Sequence, residues 1–391
     1  MIVAGCAPRA VVEPSGVAEL AACVGALYAG DTPFAFAGGG TELDLGNAPR
    51  SIDTMVTTTA CNRVVDYAPQ DQTITVEAGM TLAAVGEVLA SEGQFLAIDA
   101  PEPERTTVGG AIATGLYGGR RLRYGSIKDV IVGIEIVRPD GVQARGGGKV
   151  VKNVAGFDMP KLMVGSLGTL GAIVGATFRV HPLPEQCAAL VVTDLGVDAL
   201  TQLGNELLRE ALVPAAMIAF ANAGGDGYEC RVTFEGFARG VEQQLESAAA
   251  IASRLHVNAR TARNEIGATL DERERAIRCA APWRLKISAR PTVLARFLQS
   301  APFPEGSKHV VYPLLGTAFV AADSLDAATV ARWRAHVEGG SVVVAALPQE
   351  ARATVDAWGE PSPGAFAIMR RLKNAFDPKG LCNPGRFVGG L

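Results

Sequence analysis

Two glycine-rich stretches carry the residue types best suited to holding a ligand. The first, Gly38-Gly-Gly-Thr41, ends a short apolar run from Phe34 to Ala37 and has Glu42 and Asp44 just beyond it. The second runs from Thr106 to Asp129 as Thr-Thr-Val-Gly-Gly-Ala-Ile-Ala-Thr-Gly-Leu-Tyr-Gly-Gly-Arg-Arg-Leu-Arg-Tyr-Gly-Ser-Ile-Lys-Asp and leads into a strongly apolar strand pattern. Glycine permits positive φ and close backbone approach, and the amides of such segments can converge on an anion. A glycine triplet at a strand end leaves room for a pyrophosphate, and Thr41 adds a hydroxyl donor. Taken alone such a triplet is as often a plain turn; its place after a strand, and the second loop, give it weight.

Other chemistry-bearing patterns are weaker. Gly165-Ser-Leu-Gly168-Thr-Leu-Gly171 has the spacing GxxGxxG rather than GxGxxG, and no acid about 20 residues on marks a dinucleotide unit. Gly148-Lys149 is followed by Val150, so there is no P-loop. The four histidines, His181, His256, His309 and His336, share no ligand spacing, and each is read as structural or solvent-facing, with no metal site expected. The seven cysteines include no Cys-x-x-Cys pair, which excludes the usual iron–sulfur spacings. No general base is identifiable. Arg284, Lys286 and Arg290, which follow Trp283, are candidates for a carboxylate, although a solvated strand edge accounts for them more simply.

The elements that must position these loops follow from periodicity. Leu20, Val24, Leu27 and Tyr28 fall on one helical face, closed by Gly30-Asp31-Thr32-Pro33. A strand over 73–78 leads to a helix with Thr81 as N-cap and Gly93 as C-cap. Further strands are expected over 130–137 and 173–180, and His181-Pro-Leu-Pro184 ends the domain. From about residue 186 the multi-glycine loops thin out. A strand with Cys230, Val232 and Phe234 on one face and a helix with Val241, Leu245, Ala249, Ala252 and Leu255 then suggest an α+β cap with an antiparallel sheet. A helix over 365–376 closes the chain, and no internal repeat is visible.

Length and composition bound the function. At 391 residues the chain holds two to three domains of about 150 residues. A net charge of −4 without a Lys/Arg block argues against nucleic acid or an anionic membrane as partner. Arg120, Arg121 and Arg123 form the one tight basic cluster, of a size that suits a small anion. No apolar run approaches about 18 residues, so no transmembrane segment is expected. Val3-Ala-Gly-Cys6 echoes a lipoprotein cleavage box without a preceding leader, and a cytoplasmic location is expected.

The order and wording of the motifs resemble the FAD-binding fold of the p-cresol methylhydroxylase (PCMH) and vanillyl-alcohol oxidase type. The resemblance rests on Gly38-Gly-Gly-Thr41, Thr107-Val-Gly-Gly110 with Ala113-Thr114, Arg123-Tyr-Gly-Ser-Ile-Lys-Asp129, Val151-Lys-Asn-Val-Ala-Gly-Phe-Asp158 with Gly165 to Gly171, and Asn383-Pro-Gly385. Within the family, Lys152-Asn-Val-Ala-Gly-Phe-Asp158, Pro282-Trp-Arg-Leu285 and Arg370-Arg-Leu-Lys-Asn-Ala-Phe-Asp-Pro378 resemble a FAD-binding subunit of bacterial glycolate oxidase.

The resemblance implies an α+β fold: a PCMH-type FAD-binding domain of two α+β subdomains over 1–185, an α+β, ferredoxin-like cap over 186–355, and a C-terminal segment over 356–391 that returns to the FAD domain. It implies that Ala37, Gly38, Gly39, Gly40 and Thr41 cradle the FAD pyrophosphate, that Thr107, Gly109, Gly110, Ala113 and Thr114 line the flavin, and that Arg123, Tyr124, Gly125 and Asp129 continue that wall. Gly168, Thr169 and Ile173 would supply backbone contacts, and Asn383 would approach from the tail. Lys152 and Arg386 would lie nearer the flavin than Arg284 and Lys286, as cations for reduced-flavin charge or as anchors of the tail.

Neither loop contains the histidine through which some relatives attach FAD, so FAD is expected to be non-covalent. Ala223-Gly-Gly-Asp-Gly-Tyr228 only echoes a metal motif of larger relatives. The activity implied is that of a FAD subunit of a 2-hydroxyacid (glycolate) dehydrogenase, with a second flavoprotein subunit and an iron–sulfur subunit as partners. Membrane association would come only through those partners. A non-catalytic assembly or electron-relay subunit, and a stand-alone alcohol or hydroxyacid oxidase, are the alternatives.

Overall fold

The computed structural model describes residues 1–148, 157–222, 227–263 and 272–391. The chain divides into two compact units, one of Met1–Tyr117, Ser126–Pro182 and Asp356–Leu391, the other of Gly118–Gly125 and Leu183–Val355.

The first unit is built on two larger sheets, with a short antiparallel pair of Gln94–Phe95 and His181–Pro182 beside them. Strands Ala10–Val12, Thr54–Thr57 and Phe34–Ala37 pair in parallel, with Thr54–Thr57 in the middle. Helix Val17–Ala29 packs Leu20 and Val24, both fully buried, into the core that holds Phe34 and Val56. Gly30 caps that helix, its N–H donating to the Ala26 carbonyl, and Pro33, which has no N–H to give, begins the turn into the next strand. The second sheet is antiparallel, in the order Val64–Ala68, Thr73–Glu77, Ala172–Arg179, Ile131–Val137, Gln143–Gly147. Ile74 and Val76 enter one core, while on the opposite face Thr75 and Thr177, directly paired across the strands, join their hydroxyls at 2.9 Å.

Helix Leu82–Ala90 begins on Thr81, whose hydroxyl accepts from the Ala84 amide at 3.2 Å. It ends three residues before Gly93: Ser91 is the C-cap, and Gly93 takes φ +65° in the turn beyond.

The second unit contains an eight-stranded antiparallel sheet with a structural repeat that leaves no trace in the sequence. Strand Gln186–Leu195, helix Val197–Arg209, strands Ala216–Ala221 and Tyr228–Gly236, helix Ala238–Arg254 and strand Asn258–Arg263 form one βαββαβ motif. Strand Trp283–Ser288, helix Pro291–Ser300, strands Lys308–Tyr312 and Thr317–Ala322, helix Ala327–His336 and strand Ser341–Ala346 form another. Both have the ferredoxin-like strand order. They join edge to edge through Ala216–Ala221 and Lys308–Tyr312, with Ala219 opposite Val311. Each motif alone would leave two strand edges unpaired; the junction covers one edge of each, and Asn258–Arg263 and Ser341–Ala346 remain as the outer edges. The identity of the two halves lies in backbone order and burial pattern, which is why the sequence shows no repeat. Cys230, Val232, Phe234, Leu285 and Ile287 fill the core beneath the helices. His309 is also buried there against Phe303, and burial lowers its pKa to about 4.

The C-terminal segment is integral to the first unit. Helix Pro363–Phe376 buries only one residue, Lys373. Its ammonium donates to Asp377 Oδ2 at 2.7 Å and to the carbonyls of Thr169 and Cys382, both at 2.8 Å. Asp377 in turn accepts the amides of Leu381 and Cys382. The tail then runs beside strand Phe34–Ala37: Phe34 N–H donates to the Leu381 carbonyl, and Asn383 N–H to the Phe34 carbonyl. With side chains 7% and 0% exposed, Lys373 and Asp377 are a desolvated pair, and removing one member leaves the other's charge buried. Lys373→Met should therefore lower the stability of the first unit by about 3–5 kcal/mol in urea unfolding. A loss under about 1 kcal/mol, the range of exposed pairs, would show that the pair does not hold the tail.

Candidate functional site: a glycine-walled cleft

A cleft opens in the first unit among four segments: 36–43, Thr107 with helix Val108–Thr114, residues 167–173, and the tail at Asn383 and Arg386. Its empty volume, part of it open to solvent, is about 740 Å³.

The glycines are there because backbone packs on backbone. A Cβ on Gly38 would stand 2.1 Å from Thr107 Oγ1, and one on Gly39 only 1.6 Å from the Arg105 carbonyl oxygen. The loop after strand Phe34–Ala37 is thus pressed onto the start of the second glycine-rich segment. Thr107 is the N-cap of helix Val108–Thr114, its hydroxyl accepting from the Gly110 amide at 3.2 Å. Gly168, at φ +67°, turns beside the tail, where a Cβ would meet Asn383 Nδ2 at 2.7 Å.

Three features set the cleft's polarity. Among the described residues, the amides of Gly38, Gly39, Gly40 and Thr41 make no backbone hydrogen bond, so four successive donors remain at the mouth of a strand. Asn383, 4% exposed and at φ +44°, donates through Nδ2 to the Leu167 carbonyl at 2.5 Å, while its buried Oδ1 has no partner. A buried acceptor without a donor is costly unless a ligand completes it. Arg386 donates to the carbonyls of Leu43 and Leu45, which shapes the loop beyond Thr41. Cys382 donates its thiol to the Gly168 carbonyl at 3.0 Å, and burial raises its pKa to about 12, so it stays protonated.

These features suit FAD. The free amides of Gly38–Thr41 meet the need of a diphosphate, and Gly109, Gly110, Ala113 and Thr114 make a small-residue wall against which a planar ring can lie. Of the residues expected from the sequence, Ala37, Gly38, Gly39, Gly40, Thr41, Thr107, Gly109, Gly110, Ala113, Thr114, Gly168, Ile173, Asn383 and Arg386 all line this one cleft.

Others are placed elsewhere. Thr169 is buried beside the cleft but spends its hydroxyl on the Ser166 carbonyl and its own carbonyl on Lys373. Asp129 accepts the amide and hydroxyl of Ser126, closing a helical turn. Arg123, Tyr124 and Gly125 belong to the second unit, where Arg123 and Tyr124 bond to Glu235. Arg284 and Lys286 alternate with core residues on strand Trp283–Ser288, and Arg284 donates to the Arg278 carbonyl at 2.8 Å. Lys152 lies outside the described residues, as do residues 223–226 of the faint metal-motif echo.

Phe36, Glu42, Leu43, Thr58, Leu167, Gly171 and Ala172 also line the cleft without having been singled out. Leu167 adopts φ +50°, a conformation no side-chain pattern announces. Gly39→Ala, whose methyl group has no space against Arg105, should weaken FAD binding by about fivefold or more, since overpacking costs about 1–3 kcal/mol. Flavin fluorescence titration of the apoprotein checks this, and an unchanged dissociation constant would place the cofactor elsewhere.

Comparison with known proteins agrees with this geometry. Residues 8–147 match the model of the FAD binding domain, and residues 359–387 match that of the FAD linked oxidases, C-terminal domain. The chain is 30% identical over 210 residues to glycolate oxidase subunit GlcD of Bacillus subtilis, covering 54% of this chain and 45% of that one. It is 37% identical over 161 residues to glycolate oxidase subunit GlcE of Escherichia coli, covering 41% and 45%. These matches therefore span less than half the length of either subunit. D-2-hydroxyglutarate dehydrogenase of Xanthomonas citri pv. viticola is 25% identical in an alignment covering 97% of this chain and 89% of the relative. A solved alkyldihydroxyacetonephosphate synthase superposes with a TM-score of 0.70 over 96% of this chain and 75% of that one, at 17% identity, a likeness of fold alone. The two domain models thus fall on three of the four segments that line the cleft, and the chain has the PCMH-type FAD-binding fold.

Proposed function

We propose that the chain binds FAD non-covalently in the glycine-walled cleft and is the flavin subunit of a multi-subunit 2-hydroxyacid dehydrogenase, with glycolate as the first substrate to test. The observation that carries the reading is the meeting of the Gly38–Thr41 amides, the helix Val108–Thr114 and the unpartnered Asn383 acceptor in one cleft. Among the described residues no histidine, cysteine or tyrosine lines the cleft, which supports a cofactor held by contacts rather than by a bond. The names of the relatives, two glycolate oxidase subunits and a D-2-hydroxyglutarate dehydrogenase, support the substrate class.

When bound, FAD supplies an acceptor for the hydride of a hydroxyl-bearing carbon. The protein's share is positional. The Gly38–Thr41 amides hold the diphosphate, Thr107 to Thr114 keep the ring wall thin, and Asn383 offers an acceptor from the tail. The FAD domain expected over 1–185, apart from the strap Gly118–Gly125, and the C-terminal segment 356–391 serve the cofactor, and 186–355 serves as the cap.

Among the described residues no three His, Cys, Asp or Glu cluster to hold a metal, and a partner iron–sulfur subunit is proposed to take the electrons. No helix among them is long and apolar enough to cross a membrane. A cytoplasmic location, with any membrane association supplied by partner subunits, completes the proposal.

One observation favours a second reading. Among the described residues, Glu42 and Arg386 are the only ionisable ones lining the cleft, and Arg386 is committed to backbone carbonyls. A general base must stand within hydrogen-bond reach of its proton, so an electron-relay or assembly role is the alternative. The purified protein should be yellow and should release all its flavin on acid precipitation. Anaerobic glycolate or D-lactate separates the readings. Bleaching by this chain alone supports direct oxidation, bleaching only with a second flavoprotein subunit supports relay, and a chain that takes up no FAD contradicts both.

A further inference from the structure

The glycine-rich stretch Thr106–Asp129 divides at a place its sequence does not mark. The chain leaves the first unit after Tyr117 and re-enters it at Ser126, and the eight residues between, a strap with one helical turn at Arg121–Tyr124, pack within the second. There, three side chains of the strap converge on Glu235 near the end of strand Tyr228–Gly236. Arg120 donates to Glu235 Oε1 through Nη2 at 2.9 Å and Nε at 3.3 Å, Tyr124 donates its hydroxyl to Oε2 at 3.0 Å, and Arg123 donates to the Glu235 carbonyl.

The Glu235 side chain is wholly buried and that of Arg120 is 16% exposed. A carboxylate so far from water is costly to bury unless donors of this kind surround it. Burial and the neighbouring carboxylate push the Tyr124 phenol up to about 12, so it keeps its proton and remains a donor. The strap also fits closely on the sheet. A Cβ on Gly119 would stand 2.8 Å from Ile218 Cδ1 and 2.9 Å from Ala216 Cβ, and Leu122 packs on the core.

We propose that Glu235 is a positioning residue for the cofactor site: it latches the strap Gly118–Gly125 within the second unit and so fixes the course of the chain that continues from the cleft helix Val108–Thr114. Two donors of the strap, Arg120 and Tyr124, share one buried carboxylate, and losing it breaks their bonds to it together, while Arg123 keeps its bond to the Glu235 main-chain carbonyl. The latch stands on geometry alone; its consequence for the cofactor rests on the FAD reading above.

Trypsin reads the latch directly, because the strap offers bonds after Arg120, Arg121 and Arg123. In the full-length wild-type protein these bonds should resist limited proteolysis followed by mass spectrometry. Glu235→Ala should speed cleavage there by about tenfold or more relative to other sites, since a broken buried pair opens locally and cleavage follows the open population. Glu235→Gln, which keeps the shape and two hydrogen-bonding atoms, should be intermediate and keeps the test available if the alanine variant does not fold. FAD affinity of the apoproteins should fall in the same order while the thermal midpoint of Glu235→Gln stays near that of the wild type. Unchanged strap cleavage in a folded Glu235 variant would overturn the latch. Faster cleavage with unchanged FAD affinity would overturn the positioning role. A wild-type chain that binds no FAD would overturn the FAD reading instead, and strap cleavage would still decide the latch.

Discussion

The Lys373 ammonium is the point on which the cleft depends. Its three bonds reach the side chain of Asp377, the carbonyl of Cys382 and the carbonyl of Thr169, and these belong to the tail helix, the tail itself and the turn at 167–173. A lysine whose head group is withdrawn from water must satisfy all three of its protons, and here the satisfying groups are the parts of the chain that must be brought together. Once they are, Asn383 is forced to a left-handed φ beside Gly168, and its carbonyl oxygen is left without a donor. The site is therefore an outcome of tail docking as much as of the two glycine-rich loops.

Much of this was legible in the sequence. The first helix, with Leu20 and Val24 inward, and the strand leading into Gly38 follow from periodicity and turn residues, and the structure has both. The glycines at 38, 39 and 168 stood out by their clustering as room for a ligand; that protein atoms at Thr107, Arg105 and Asn383 also crowd them was not visible. What escaped were features without a residue-type signature. Leu167 bends through φ +50°, and Lys373 and Asp377 stand four apart in a segment singled out for its wording and not for an ion pair. Their role needed a third segment, at Thr169, to be in place.

The loop from 106 to 129 teaches a different lesson. Its composition reads as one ligand-wrapping unit, yet burial divides it. Val108 to Thr114 carry the small residues that a cofactor wall needs, whereas Arg120 and Tyr124 have long polar side chains that find the buried carboxylate of Glu235, and Arg123 its main-chain carbonyl. Sequence spacing could not show this, because Glu235 lies more than a hundred residues away. The doubled βαββαβ motif was hidden for a similar reason: its two halves share strand order and core-facing alternation, not residues.

The central claim is that the amides of Gly38 to Thr41 hold the diphosphate of FAD. Hydrogen exchange at those four amides, compared between apoprotein and protein loaded with FAD, tests it most directly. Protection rising by at least about tenfold at these positions on loading is the expected result, since each amide would gain a charge-assisted hydrogen bond worth about 1.5–3 kcal/mol. Exchange that stays unchanged at all four while flavin absorbance reports full occupancy would contradict the account.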